Sequence, residues 1–388
     1  MSAQVTSIAR VRHAARRREE ATAVNRRLIA VLLASVFVLL VIGLGELMSA
    51  SSIRGLTDAS DQFYYFKRQM VGLAIGFGVL LATLRIRYQA YRRFAMPLFL
   101  VSVAGLVAVK LAGFARNGST RWLDLGFVTF QPSEISKIAV VIALAATFEL
   151  KGDRLDNRHH FLMPIYKIVG LTAALIMLQP DLGTTLVVVA AAMAVMLVSR
   201  APMRYVLGLL LVAVAAALVL AVGASYRLDR ITSFLNPWAD PAGTGYQVIQ
   251  GYYAMAEGGL FGVGLGASRA RWSFLPNAHT DFIFAIVGEE TGLVGGLGVI
   301  ALCLFIAVCG WSIASRAPDL FGRMVAAGIT GWLSFQALAN VGGVLGVLPI
   351  TGIVLPFVSY GATALITCLA GVGILVNIAR QGVVRSGP

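Results

Sequence analysis

The chain's apolar residues neither alternate nor recur every three or four positions. They come in unbroken runs. Residues 28–45, 182–199, 205–226 and 291–315 carry no charge, and neither does the whole of 324–379. A helix crosses the hydrocarbon of a bilayer with about 20 mostly apolar residues. Each run therefore predicts a span, and the last predicts two with a turn. Ten spans follow, at roughly 28–49, 69–85, 94–112, 132–149, 164–179, 182–199, 205–224, 282–312, 322–346 and 358–380. Pro349 and Pro356 punctuate the turn between the final pair. The expectation is an all-α polytopic membrane protein: a basic tail over 1–27, a transmembrane domain over 28–380 and a C-terminal tail over 381–388.

One connection is long. Residues 225–281, between spans seven and eight, contain Pro237, Pro241 and Pro276, several glycines and an amphipathic piece at 246–255. Long loops of this kind are often functional. Its Phe234, Trp238, Tyr252, Tyr253, Phe261, Trp272 and Phe274 lead us to expect a loop that packs on the membrane face rather than a linker.

Composition agrees with the spans. The 388 residues are 58% hydrophobic and 13% charged, with mean hydropathy +0.81. A soluble domain is nearer one quarter charged. The net charge of +14 invites a nucleic-acid reading, but the basic residues sit in short clusters between apolar runs, as membrane topology requires. With the N-terminus inside, 21 of the 32 Lys and Arg fall on the cytoplasmic side, so both termini are expected there. The first span resembles a signal peptide in layout, but its apolar run is long for one, and a retained span is the better reading. Cys303, Cys309 and Cys368 all lie in spans with no ligand spacing, and read as small core residues.

Polar residues inside or beside spans are the candidate chemistry. Glu134 and Lys137 open span four at i,i+3 spacing, on one helix face. They are either a structural staple or part of a polar cavity. Gln179-Pro180-Asp181-Leu182-Gly183-Thr184 separates two apolar runs with almost no loop, and Asp181 is an N-cap, a cavity acid, or both. The segment 275–282 ends in His279-Thr280-Asp281-Phe282 and is followed by Gly288-Glu289-Glu290. Asp281 opens span eight from the outer side, with Glu289 about 12 Å deeper on a helix. Asp281 is a reactive acid or merely a cap. His279 has no metal-ligand spacing and reads as a hydrogen-bonding or interface residue.

Two patterns mislead. Gly262-Val263-Gly264-Leu265-Gly266-Ala267 fits a loose dinucleotide fingerprint but lacks the strand and βαβ unit that give it meaning. Gly72/Gly76 and Gly292/Gly296 are small-xxx-small pairs, which close helix packing explains.

Taken in order, the motifs resemble the SEDS family (shape, elongation, division, sporulation) over nearly all of 28–380. They are Asn117-Gly118-Ser119-Thr120-Arg121-Trp122, Phe130-Gln131-Pro132-Ser133-Glu134 with Lys137, the Gln179–Thr184 turn, Gly245-Tyr246-Gln247, the Gly258–Gly266 stretch, the His279–Phe282 block and Leu355-Pro356-Phe357-Val358-Ser359-Tyr360-Gly361. The Gly258–Gly266 and Gly288–Glu290 segments lean toward the division branch, and Thr351–Phe357 toward the elongation branch. Asn277 stands where the family usually has Glu, and Ala362 where a second Gly is usual, which predicts a stiffer last outer turn.

The resemblance implies a peptidoglycan glycosyltransferase that polymerises lipid II at the outer face of the bacterial cytoplasmic membrane, at the division septum. It implies partners too: a class B penicillin-binding transpeptidase and other divisome membrane proteins. The family's essential acid matches Asp281, and its cavity acid–base pair matches Glu134 and Lys137. Such a reaction needs a base for the incoming hydroxyl and positive charge for the departing diphosphate. Arg121, Arg230, Lys137 or a divalent cation (Mg or Mn) would supply that charge, and the sequence does not choose. Gln179, Asp181, His279, Glu289, Ser359 and Tyr360 are the further substrate-site candidates. Three rival readings are a polymerase of the elongation branch, a lipid II flippase and an inactive scaffold for the transpeptidase. A transporter gathers polar groups near the midplane on paired broken helices, whereas here one break is expected and the polar groups gather outward.

Overall fold

The computed structural model describes residues 2–116, 119–124, 129–223, 225–272 and 274–382. Helices lie where the apolar runs predict spans. Helix α1 (Ser2–Ala59) leads to α2 (Tyr64–Arg85) and α3 (Tyr88–Ala112). Three short antiparallel strands follow, β1 (Phe114–Arg116), β2 (Ser119–Asp124) and β3 (Thr129–Phe130), in the order β1-β2-β3. This small sheet is a minor addition to an otherwise helical fold; Asn117 and Gly118 of the first motif lie outside the described residues. Next come α4 (Pro132–Lys151), a span made of α5 (Arg158–Pro164), a π-helical turn and α6 (Leu171–Met177), then α7 (Leu182–Leu197) and α8 (Met203–Val222). The outer loop holds α9 (Ser225–Leu235) and α10 (Tyr246–Gly258), and α11 (Ile283–Ser315), α12 (Leu320–Val344) and α13 (Ala362–Gly382) complete the domain.

Eight of these helical segments are long and apolar enough to cross a membrane. The other two spans are α4, whose first turns carry Glu134 and Lys137, and α7, which has 16 residues. Both are largely buried against neighbouring helices. Helix α4 is buried along most of its length, as are α12 and α13, so these three form the centre of the bundle. Helix α2 lies on α13 through Gly72, beside Ala362, and Gly76, beside Ile366 and Leu369. A Cβ at either glycine would overlap those neighbours, so this small-residue pair does the packing expected of it. Ala362 itself opens α13 against Gly72.

Helix α1 runs unbroken from Ser2 into the first span, because no Gly or Pro occurs between Ser2 and Ile42. Two span expectations change. Span five begins at Arg158 rather than 164, with Pro164 inside it. A proline removes an intrahelical donor, and the ladder widens to the π turn Ile165–Gly170 directly after it. Span eight is broken. Gly292 has φ +67°, ψ −165° in the middle of α11.

Candidate active site

Asp281 sits in the turn just before α11, and its backbone is held with unusual completeness. Three successive carbonyls each accept a hydrogen bond. His279 O accepts from Tyr360 N–H at 3.0 Å, Thr280 O from Ser359 Oγ at 2.7 Å, and Asp281 O from Asn340 Nδ2 at 2.9 Å. Ser359 Oγ in turn accepts from Leu355 N–H at 2.8 Å. The His279 ring is buried against Tyr65 and Tyr360, with centroids 4.8 and 5.8 Å away. Asn277 starts the turn at φ +53°, a left-handed conformation that Asn tolerates better than Glu, and its carbonyl accepts from Thr280 and Phe282. The segment from 279 to 281 is therefore a rigid mount. His279, Ser359 and Tyr360 build the mount; none of the bonds described presents them to a ligand.

The Asp281 carboxyl is half-buried and faces cations. Gly352, at φ +73°, lies between it and Arg230: a Cβ there would stand 3.6 Å from Arg230 Nη1 and 3.6 Å from Asp281 Oδ2. Burial pushes the carboxyl above the ordinary aspartate range, with Arg230 and then Arg121 pulling the other way. Arg230 is exposed, on α9, and makes one long bond of 3.3 Å to Ile350 O. Arg121 is more committed. It donates to Gln179 O and Pro180 O and pairs with Asp181 at 3.7 Å. Asp181 caps α7, accepting from Thr184 N–H at 3.0 Å and from its hydroxyl at 2.9 Å, and Gln179 reaches Leu106 O at 3.1 Å. The capping part of the Asp181 expectation holds, and Asp181 also lies within electrostatic range of Asp281.

Glu134 and Lys137 form a buried ion pair at 2.6 Å, with Lys137 only 1% exposed. Lys137 also donates to Gln336 Oε1 at 3.0 Å and lies 5.0 Å over the Trp332 ring. Gln336 passes the connection on, donating to Val354 O at 3.0 Å, and Asn340 one turn later donates to Ile353 O at 2.7 Å as well as to Asp281 O. Gln336 and Asn340 are the residues sequence reasoning missed. Their i,i+4 spacing on a charge-free span was the available signal.

Glu289 is not at this site. Its oxygens accept from Ser268 Oγ and Arg269 N–H, both at 2.6 Å, which ties down the outer loop. Glu290 does the same through Gly266 N–H at 2.8 Å, and bonds Ser49. A buried Glu46 on α1, also missed, lies within electrostatic range of both. The glycine-rich stretch is explained here. Gly262, Gly264 and Gly266 have positive φ, and the chain lays its backbone into the break at Gly292. Val263 and Gly264 donate to Glu289 O and Glu290 O; Leu293 and Val294 donate to Gly259 O and Leu260 O. Gly292 is therefore a break filled by the loop, not a helix-packing glycine. Within the loop α10 buries Val248, Ile249, Gly251, Ala254 and Gly258, while Trp238, Phe261, Trp272 and Phe274 are exposed.

Among the described residues, no three His, Cys, Asp or Glu side chains are grouped to hold a metal ion.

The family described as "Cell cycle protein" (FtsW/RodA/SpoVE) matches residues 30–383. The chain is 39% identical over 344 residues to stage V sporulation protein E of Bacillus subtilis, covering 88% of this chain and 94% of that one. It is 37% identical over 350 residues to a probable peptidoglycan glycosyltransferase FtsW of Trichlorobacter lovleyi, covering 90% and 92%. Among solved structures it resembles a chain of a peptidoglycan synthase complex that coordinates polymerization and crosslinking, with TM-score 0.73, 30% identity and coverage of 90% and 97%. The rod shape determining protein RodA of Thermus thermophilus superposes with TM-score 0.68 at 28% identity, covering 90% and 96%.

Proposed function

The chain belongs to the FtsW/RodA/SpoVE family of membrane cell cycle proteins, and from that premise we propose that it is a peptidoglycan glycosyltransferase acting in septal wall synthesis. Its substrate is lipid II, and its products are glycan strands made at the outer face of the cytoplasmic membrane, with both termini on the inner side.

The observation that carries the reading is the mount of Asp281 opposite Arg230. A carboxylate pushed up by burial is a better base than a solvated one. Held by three backbone bonds, it accepts the proton of the acceptor's GlcNAc 4-hydroxyl as that oxygen attacks the anomeric carbon of the donor. The bond to the diphosphate breaks on the opposite face, with inversion, so no enzyme nucleophile is needed. Of the three candidate cations, Arg230 suits the departing diphosphate best. Arg121 is occupied by the 179–181 turn, and Lys137 by Glu134 and Gln336. A divalent cation bridging the phosphates would supply further positive charge to the leaving group. The exposed outer loop and the likeness to a synthase complex support a class B transpeptidase as partner.

The test is glycan-strand formation from labelled lipid II, with and without a cognate transpeptidase, wild type beside Asp281→Asn. Polymer from the wild type alone is the expected result. Equal polymer from both would remove Asp281 from the chemistry. No polymer from either would move the function to transport or scaffolding.

A further inference from the structure

Asn340 spends both hydrogens of its side-chain amide on two carbonyls, Asp281 O at 2.9 Å and Ile353 O at 2.7 Å. Two acceptors on one side settle which way the amide points, since only the nitrogen can donate to both. Its Oδ1 is left over. Asn340 is 4% exposed, and this oxygen has no hydrogen-bond partner among the described residues. The Thr351 hydroxyl is buried and equally without one. Buried polar atoms are nearly always paired, and an unpaired one calls for an explanation.

Both residues line one cavity, and Asp281 lines it too. Its volume is about 10 Å³, and Gly352 and Ile353 form part of its wall. That is room for a single oxygen-sized group. A GlcNAc offering its 4-hydroxyl to Asp281 carries two others nearby, the 3-hydroxyl on the adjacent carbon and the 6-hydroxyl on the hydroxymethyl arm, each both donor and acceptor. One such hydroxyl would give its proton to Asn340 Oδ1 and receive that of Thr351 Oγ1, satisfying both atoms together.

We propose that Asn340 Oδ1 and Thr351 Oγ1 form a subsite for a second hydroxyl of the acceptor sugar, next to the one that Asp281 activates. This rests on the glycosyltransferase reading. It adds a specificity contact: the acceptor is read at two hydroxyls, and the second locks the first in its reactive direction.

The experiment uses full-length protein with its transpeptidase, natural lipid II, and lipid II analogues whose GlcNAc lacks the 3-hydroxyl or the 6-hydroxyl. Wild type and Asp281→Asn on natural substrate first establish the polymerase. Thr351→Val removes the hydroxyl and keeps the shape; Thr351→Ser keeps the hydroxyl. The expected result is a fall in kcat/KM of roughly three- to tenfold for Thr351→Val on natural lipid II, with Thr351→Ser close to wild type. One of the two deoxy analogues should suffer a similar fall with wild type and little further fall with Thr351→Val. Equal losses for Thr351→Val on natural and deoxy substrates would mean a structural water site and overturn the subsite, while leaving the polymerase standing. So would wild-type kinetics for Thr351→Val. A wild type that makes no polymer overturns both readings together.

Discussion

Lys137 donates to Gln336 at 3.0 Å, and through that bond the buried ion pair of α4 is joined to the outer turn that carries Asp281. Gln336 holds Val354 O and Asn340 holds Ile353 O and Asp281 O, so one face of α12 connects the two. Removing one member of a buried pair leaves the other charge uncompensated, which costs about 3–5 kcal/mol. Lys137→Met is expected to lose stability of that order. The double variant Glu134→Gln with Lys137→Met should regain most of it. Thermal unfolding in detergent measures both, and a double variant no better than the single one would show that the pair is not what Lys137 contributes.

Asp281→Asn should separate chemistry from architecture. Tyr360, Ser359 and Asn340 hold the backbone of residues 279–281, not the carboxyl, so the variant is expected to unfold at the wild-type temperature. Polymerisation should fall by roughly 10²–10⁴ with the base removed. A lowered unfolding temperature together with lost activity would mean that the carboxylate was structural.

The pH profile follows from the same carboxyl. Burial raises it above the ordinary aspartate value, and Arg230 opposes that rise. A base works when deprotonated, so kcat/KM should fall on the acid side at a pH above the usual aspartate range. Taking away a cation favours the protonated acid. Arg230→Gln should therefore move the acid limb to higher pH, besides weakening diphosphate departure. For stability the sign is opposite: an acid whose value is raised on folding favours the fold at low pH and loses that contribution as pH rises through the folded value. A pH–rate series on both proteins checks the direction, and an acid limb that Arg230→Gln leaves in place would take Arg230 away from Asp281.

Much of this was readable in the chain. The eight helices long and apolar enough to span follow from unbroken apolar runs, because lipid leaves the backbone no alternative to helix. The motif order pointed to the family, and acids beside apolar runs pointed to Asp281, Glu134 and Lys137. What escaped is what depends on third partners. Gln336 and Asn340 are neutral amides, and nothing in a charge-free run marks which face they take until α4 and the 350–361 turn are in place. Glu289 reads as a site acid from helical geometry alone, since its loop partners Ser268 and Arg269 are 21 and 20 residues away in sequence. The break at Gly292 escaped for a related reason. A glycine in an apolar run looks like helix packing until a second backbone fills the gap.

That break gives the last prediction. At Gly292 the helix abandons its own ladder. The freed carbonyls of Glu289 and Glu290 are taken by the N–H groups of Val263 and Gly264, and the N–H groups of Leu293 and Val294 by the carbonyls of Gly259 and Leu260. Four backbone bonds thus close around a residue at φ +67°, where any side chain is strained. An added Cβ would also overlap the backbone of Leu260 and Gly262. Gly292→Ala must either bear about 1–3 kcal/mol of strain in a backbone conformation essentially reserved for glycine, with a clash, or restore a regular helix and expel the loop. Either way the amides of Val263, Gly264, Leu293 and Val294 should exchange with solvent faster than in the wild type, while those of α4 and α13 stay protected. Exchange measured by mass spectrometry on the two proteins distinguishes the cases. Unchanged protection at 259–266 would mean that the loop is held by the Glu289 and Glu290 side chains alone, and that the break in α11 is incidental to it.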